Sequence, residues 1–167
     1  RGPFRPIFTQ AHPFYDAHTD ETFCVNYSIS IPLAKPFTNL VRWNGEDRIQ
    51  TFPLKLQNGD PVEIVQAAHQ ITCTKDYIVI LDTAFRTEAA QVVGLGVSAP
   101  QMPDTVLYVI RRKDLIPGSD VLARRVVIPR ESAHVVADYD NPGQQITVHL
   151  AHLTGTDLSE WLRADDV

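Results

Sequence analysis

Six histidines carry most of the chemistry this sequence has to offer: His12, His18, His69, His134, His149 and His152. Neutral imidazole is a ligand for iron, zinc, copper and nickel, and it is also the usual general base. No pair has zinc-finger spacing, and no HExxH run is present. His149 and His152 form an HxxH in "ITVHLAHL". On a helix they would share a face. The run reads as a strand, where residues three apart point opposite ways, so they are one inward and one outward polar residue. The HxH of cupin-like sites is absent, as is the GxSxG elbow of a serine hydrolase. Ser132 near His134 reads as a coincidence of neighbours. Asp138 and Asp140 suggest acid–base work, but they read better as a solvated strand end beside the "DNPG" turn.

His12, His69 and His134 remain. Taken singly, each is an ordinary polar residue opening or lying in a β-like run. Taken together, they recur roughly every 60 residues, on the scale of one propeller blade or so. The inner strand of each blade directs a residue at the central axis, so widely separated ligands are what a propeller needs.

The elements that must position them are strands. Twelve prolines and eight glycines punctuate short runs rich in Val, Ile, Thr, Tyr and Phe, which favours an all-β sandwich, barrel or propeller. The pattern predicts strands over Thr22–Ser30, Asn39–Trp43, Arg48–Phe52, Val62–Gln66, Gln70–Thr74, Tyr77–Asp82, Val106–Arg111, Val126–Ile128, Ser132–Asp138 and Gln145–Leu153. Asn44-Gly45 and Asn58-Gly59 are hairpin signals. Lys75-Asp76 and Pro142-Gly143 mark two further turns. Residues 87–103 read as a Gly/Ala-rich loop or short helix. The tail, "GTDLSEWLRADD", has capping-box spacing and reads as the one helix.

Composition sets the outer bounds. A hydrophobic fraction of 44% with 21% charged residues reads as a globular domain. The net charge of −5, with no basic cluster, argues against nucleic acid. No apolar run has membrane-span length. Cys24 and Cys73 stand in no motif and read as free thiols in a reducing, cytoplasmic setting. The chain starts at Arg1 and its one methionine is Met102, so it reads as a piece of something longer.

Three segments, in order, carry a resemblance. "TQAHPFYDAHTDETFCVNYS" sets His12 before a D-x-x-T-x-E turn and an aromatic strand. "HQITCTKDYIVILD" opens a strand at His69, followed by a short turn and a YIV-LD run. "AHVVADYDNPGQQITVHLAH" sets His134 in a third strand, and "LYVIRRKD" lies between the second and third. These are similar to the metal-ligand motifs of the carotenoid cleavage oxygenase family. The similarity spans about Thr9 to His152. Departures are Gln70-Ile71 where Asp-Phe is common, Ala133 where Phe is common, and Ala137-Asp138-Tyr139-Asp140 where Asn-Ala-Tyr-Glu is common.

The resemblance implies a seven-bladed β-propeller with four histidines on one Fe(II), His12, His69 and His134 being three of them. At about 45 residues per blade it implies that 1–167 is one partial propeller domain of roughly three to four blades, lacking the fourth histidine. It further implies a dioxygenase that cleaves a conjugated C=C bond of a carotenoid, apocarotenoid or stilbenoid into two carbonyl products. The partners would be a hydrophobic polyene or stilbenoid and dioxygen, with peripheral membrane contact, and the fragment alone would be unstable and inactive. Two other readings stand beside this one. The chain is a non-catalytic β-propeller or β-sandwich binding module with structural histidines, or a zinc hydrolase using the same three.

Overall fold

In the computed structural model, residues 7–28, 35–46, 48–83, 94 and 102–152 are described. Eleven strands and two single-turn 3-10 segments make up their regular structure. The strands are β1 (Phe8–Thr9), β2 (Phe14–Asp16), β3 (Glu21–Ser28), β4 (Phe37–Trp43), β5 (Gln50–Lys55), β6 (Ala67–Cys73), β7 (Tyr77–Thr83), β8 (Asp104–Arg111), β9 (Val121–Pro129), β10 (Ser132–Ala137) and β11 (Val148–His152). The all-β expectation holds.

The pairing divides them into blades. β1 and β2 pair with opposite ends of β3 and together act as one interrupted strand. β3, β4 and β5 follow as an antiparallel meander. The second blade is the meander β6–β7–β8–β9. The hairpin β10–β11 forms a sheet of its own and opens a third blade. The chain is thus part of a β-propeller. The first two blades are joined along their last strands by a short parallel pairing of Leu54 with Val121 and Lys55 with Leu122. They meet again at their first strands, where His12 forms a parallel bridge to Gln70. This pairing nearly closes the nine-stranded sheet on itself and protects strand edges that would otherwise be bare.

Alternation dictates the core. In β3, Phe23, Val25 and Tyr27 point inward, while Thr22, Cys24 and Asn26 lie half-buried on the other face. β7 is buried along its whole length, as a strand covered on both faces must be. One cluster, including Phe23, Phe52, Leu54, Ile71, Ile80 and Tyr108, fills the space between blades one and two. A second, around Val79, Leu81, Leu107 and Val135, lies under the third-blade hairpin. The groove of about 540 Å³ lined by Val79, Leu107, Val126 and Val148 belongs to that seam and contains none of the three histidines.

Some expectations need correcting. Val62–Gln66 is not a strand. Val62 and Ile64 are buried, as an apolar run requires, but the N–H groups of Val65, Gln66 and Ala67 bond to the Asp82 carboxylate instead of a neighbouring strand. β1 and β2 were not foreseen, because each is too short for a period to show. β9 begins five residues before the expected Val126, since Arg124 and Arg125 mask the alternation. The turns at Asn44-Gly45, Lys75-Asp76 and Pro142-Gly143 lie between strands as expected. Asn58-Gly59 turns the chain back into a single bridge, Lys55 to Pro61, rather than a second strand. The tail helix and most of the 87–103 loop lie outside the described residues. Cys24 and Cys73 are free thiols. Among the described residues, no helix is long and apolar enough to cross a membrane.

Candidate metal centre

Each of the three histidines sits on the first strand of its blade, at a local break in regular pairing. His12 precedes Pro13, which has no N–H to donate, so residues 10–13 leave β3 between β1 and β2. The freed backbone turns to β6: the amides of Ala11 and His12 both donate to the His69 carbonyl at 3.1 Å. His69 is the extra residue of a β-bulge, since Ala68 pairs with Asp82 and Gln70 with Leu81. A second bulge falls at Ala133, between Ser132 and His134. Bulges re-aim side chains, and here two of them aim imidazoles.

The result is a cluster. The ring centroids lie 4.8 Å apart for His12 and His69, 5.4 Å for His12 and His134, and 5.1 Å for His69 and His134. One nitrogen from each ring lies within 4.8 Å of the others. Some point then lies no more than about 2.8 Å from all three nitrogens, against about 2.1 Å for an imidazole–metal bond. The difference is about 0.7 Å per ring, and the donor set suits a borderline divalent ion. Burial pushes the His69 imidazole below its ordinary value, and the His12 and His134 rings push it the same way. Both effects favour the neutral ring, the form whose lone pair a metal needs. His12 and His134 are exposed and His69 is half-buried, so the cluster faces outward among the described residues.

Side-chain acceptors and donors with one backbone bond, rather than a backbone ladder, dock the third-blade hairpin beside β6. The amide of Val135 donates to Gln70 Oε1 and that of Ala137 to Thr72 Oγ1, each at 3.1 Å. The Thr83 hydroxyl donates to the Ser132 carbonyl, and the Lys75 amide to the Tyr139 carbonyl. Behind His12, the D-x-x-T-x-E turn proves to be a socket for one cation. Arg112 pairs with the buried Asp16 carboxylate, with Glu21 at 3.1 Å and with Thr19 Oγ1 at 3.0 Å, and it also donates to the Thr74 carbonyl. The hydrogen bond and charge of Arg112 hold the Asp16 carboxyl below its usual value despite its burial. Asp16 also accepts from the Tyr139 hydroxyl, and His18 stacks on that ring at 4.1 Å. One network therefore fixes the flanks of all three histidine strands.

The remaining sequence candidates separate from the cluster. His149 Nε2 pairs with Asp138 Oδ1 at 2.9 Å across the third-blade hairpin. Ser132 Oγ lies 3.1 Å from His152 Nδ1, not against His134. Sequence reasoning missed Arg112, Thr72 and Gln70 as partners of the site. Only Arg112 had a signal, in the charged "RRKD" run.

A β-propeller that brings one histidine from the first strand of each of three successive blades to a common point defines a protein built around a histidine cluster. A scan against protein families matches residues 3–166 to retinal pigment epithelial membrane protein. This chain belongs to that family, the carotenoid cleavage oxygenases, a family of metal-dependent enzymes of the carotenoid-cleaving oxygenase and isomerohydrolase type. No match was found among curated proteins or among solved structures.

Proposed function

We propose that His12, His69 and His134 hold a ferrous ion and that the protein is a dioxygenase. Its reaction would be cleavage of a conjugated C=C bond of a carotenoid, apocarotenoid or stilbenoid into two carbonyl products. The observation that carries this reading is the convergence of the three nitrogens to within 4.8 Å from strands far apart in sequence. Family membership supports a reaction of the carotenoid-oxygenase kind.

A ferrous ion bound there would supply the open-shell chemistry by which dioxygen reacts with an alkene. The chain's own part is to bind and orient. Imidazole ligands carry no negative charge, so an ion held by these three would keep its full +2. Burial favours the neutral form of His69, and the bulges at His69 and Ala133 aim two of the rings. No proton transfer is demanded of a side chain, which accords with Asp138 being paired to His149 at a strand end. Substrates of this kind partition into bilayers, so peripheral contact with a membrane surface belongs to the same proposal.

The test is conversion of an apocarotenoid or a stilbenoid by the iron-loaded protein, with and without dioxygen. The proposal expects two carbonyl products, oxygen-18 from the labelled gas in them, and no turnover under argon or in His69→Ala. Equal aerobic and anaerobic rates would sink it and favour a hydrolase.

A further inference from the structure

The geometry points to Gln70 as the positioning residue that fixes which nitrogen His134 presents to the cluster. Gln70 follows the bulged His69 on β6, and its side chain reaches across to β10. Its Oε1 receives the Val135 amide at 3.1 Å and lies 3.0 Å from His134 Nδ1. These two contacts settle each other. A main-chain N–H can only donate, so the side-chain atom facing it is the amide oxygen and not the amide nitrogen. An amide oxygen can only accept, so the proton of the neutral His134 ring is on Nδ1. The lone pair is then on Nε2, and that nitrogen is the one offered as a ligand. A histidine ligand whose other nitrogen is held by a hydrogen bond has its tautomer and ring orientation set in this way.

The same side chain also sets a distance. Gln70 adjoins His69 in sequence and grips the backbone next to His134, so it ties two members of the cluster through one amide group. Thr72 repeats the device two residues on, at Ala137. Gln70 stands where the family pattern often has Asp. A neutral amide acceptor leaves the imidazole neutral, where a carboxylate would lend it anionic character and make it a stronger donor. The inference rests on the metal reading above for its consequence, but not for the tautomer.

Long-range 1H–15N correlation spectra of the metal-free protein, recorded where the ring is neutral, report the His134 tautomer directly. Competition of Co(II) against a chromophoric chelator reports affinity. Three proteins are compared: wild type, Gln70→Leu, which has no acceptor, and Gln70→Glu, which keeps one. Wild type is expected to carry the Nδ1–H form. Gln70→Leu should relax to a mixture in which Nε2–H is prominent and should lose about 10- to 100-fold in Co(II) affinity. Gln70→Glu should keep the wild-type tautomer and recover the affinity. An Nε2–H ring in wild type would overturn the inference without any variant. An unchanged tautomer in Gln70→Leu would overturn it as well. A tautomer that changes with Gln70 while wild type itself binds no Co(II) would remove the ligand role and the metal reading together, leaving only the hydrogen bond.

Discussion

Asp82 should make stability depend on pH in the direction opposite to that of the ion-paired Asp16, and Asp82→Asn should remove that dependence. Asp82 is 1% exposed, pairs with Ala68 next to the His69 bulge, and accepts the N–H groups of Val65, Gln66 and Ala67 at 2.8, 3.0 and 3.0 Å. Burial raises its carboxyl to about 6, against these three donors and Arg125, which pull the other way. A carboxyl raised in the folded state favours folding most when it is protonated. That contribution is fully present below the unfolded value of 3.8 and is lost as the pH rises through about 6. The shift of about two units corresponds to about 3 kcal/mol. Asparagine keeps an oxygen for the two N–H groups that share Oδ1 and turns its NH2 toward Val65, setting donor against donor at a cost of about 1–3 kcal/mol. The two terms add differently at each pH. At pH 4, Asp82→Asn should be destabilised by about 1–3 kcal/mol. At pH 7.5 the penalty of the buried charge is absent from the variant, so it should match wild type or exceed it by about 2 kcal/mol. Urea unfolding at the two pH values measures this. A variant that loses more stability at pH 7.5 than at pH 4 would show that the three N–H groups outweigh burial and that the reasoning is wrong.

Arg112→Met should cost about 3–5 kcal/mol at neutral pH, because it leaves the buried Asp16 carboxylate unpaired. Since Arg112 lowers the Asp16 carboxyl, that loss should be full above the usual carboxylate range and shrink as the pH falls below it, which denaturant midpoints taken down a pH series would reveal. Thr72→Val removes the acceptor of the Ala137 amide, so hydrogen exchange at Ala137 should speed by about tenfold, equivalent to about 1.4 kcal/mol of local opening, while β7 amides stay protected. Gly59 has φ of 88° with open space around its missing Cβ, so Gly59→Ala should cost about 1–2 kcal/mol from backbone strain alone, read from thermal unfolding.

The fold class and the three histidines were legible because they rest on local patterns. Val/Ile/Tyr runs between Gly and Pro punctuation marked nine of the eleven strands at least in part, and His12, His69 and His134 each stood in a recognisable strand context. What escaped was long-range. Val62–Gln66 has the composition of a strand, but a carboxylate sixteen residues from Gln66 takes the hydrogen bonds a neighbouring strand would have taken. The bulges at His69 and Ala133 leave no mark in composition, because a bulge is a mismatch between two strands and neither strand encodes it alone. The parallel bridge from His12 to Gln70 depends on Pro13 releasing the chain from β3, and the sequence shows the proline without showing where the chain goes. Gln70 itself looked only like a departure from a family pattern. Its role emerges once β10 lies beside β6.

The most direct test of the histidine cluster is anaerobic titration of the metal-free protein with Fe(II), with bound iron counted per chain and its scattering shells read by X-ray absorption. The account predicts one ion per chain with an imidazole shell, and loss of the ion in His12→Ala, His69→Ala and His134→Ala alike. Iron binding that is absent in the parent protein, or that survives all three substitutions, would contradict it.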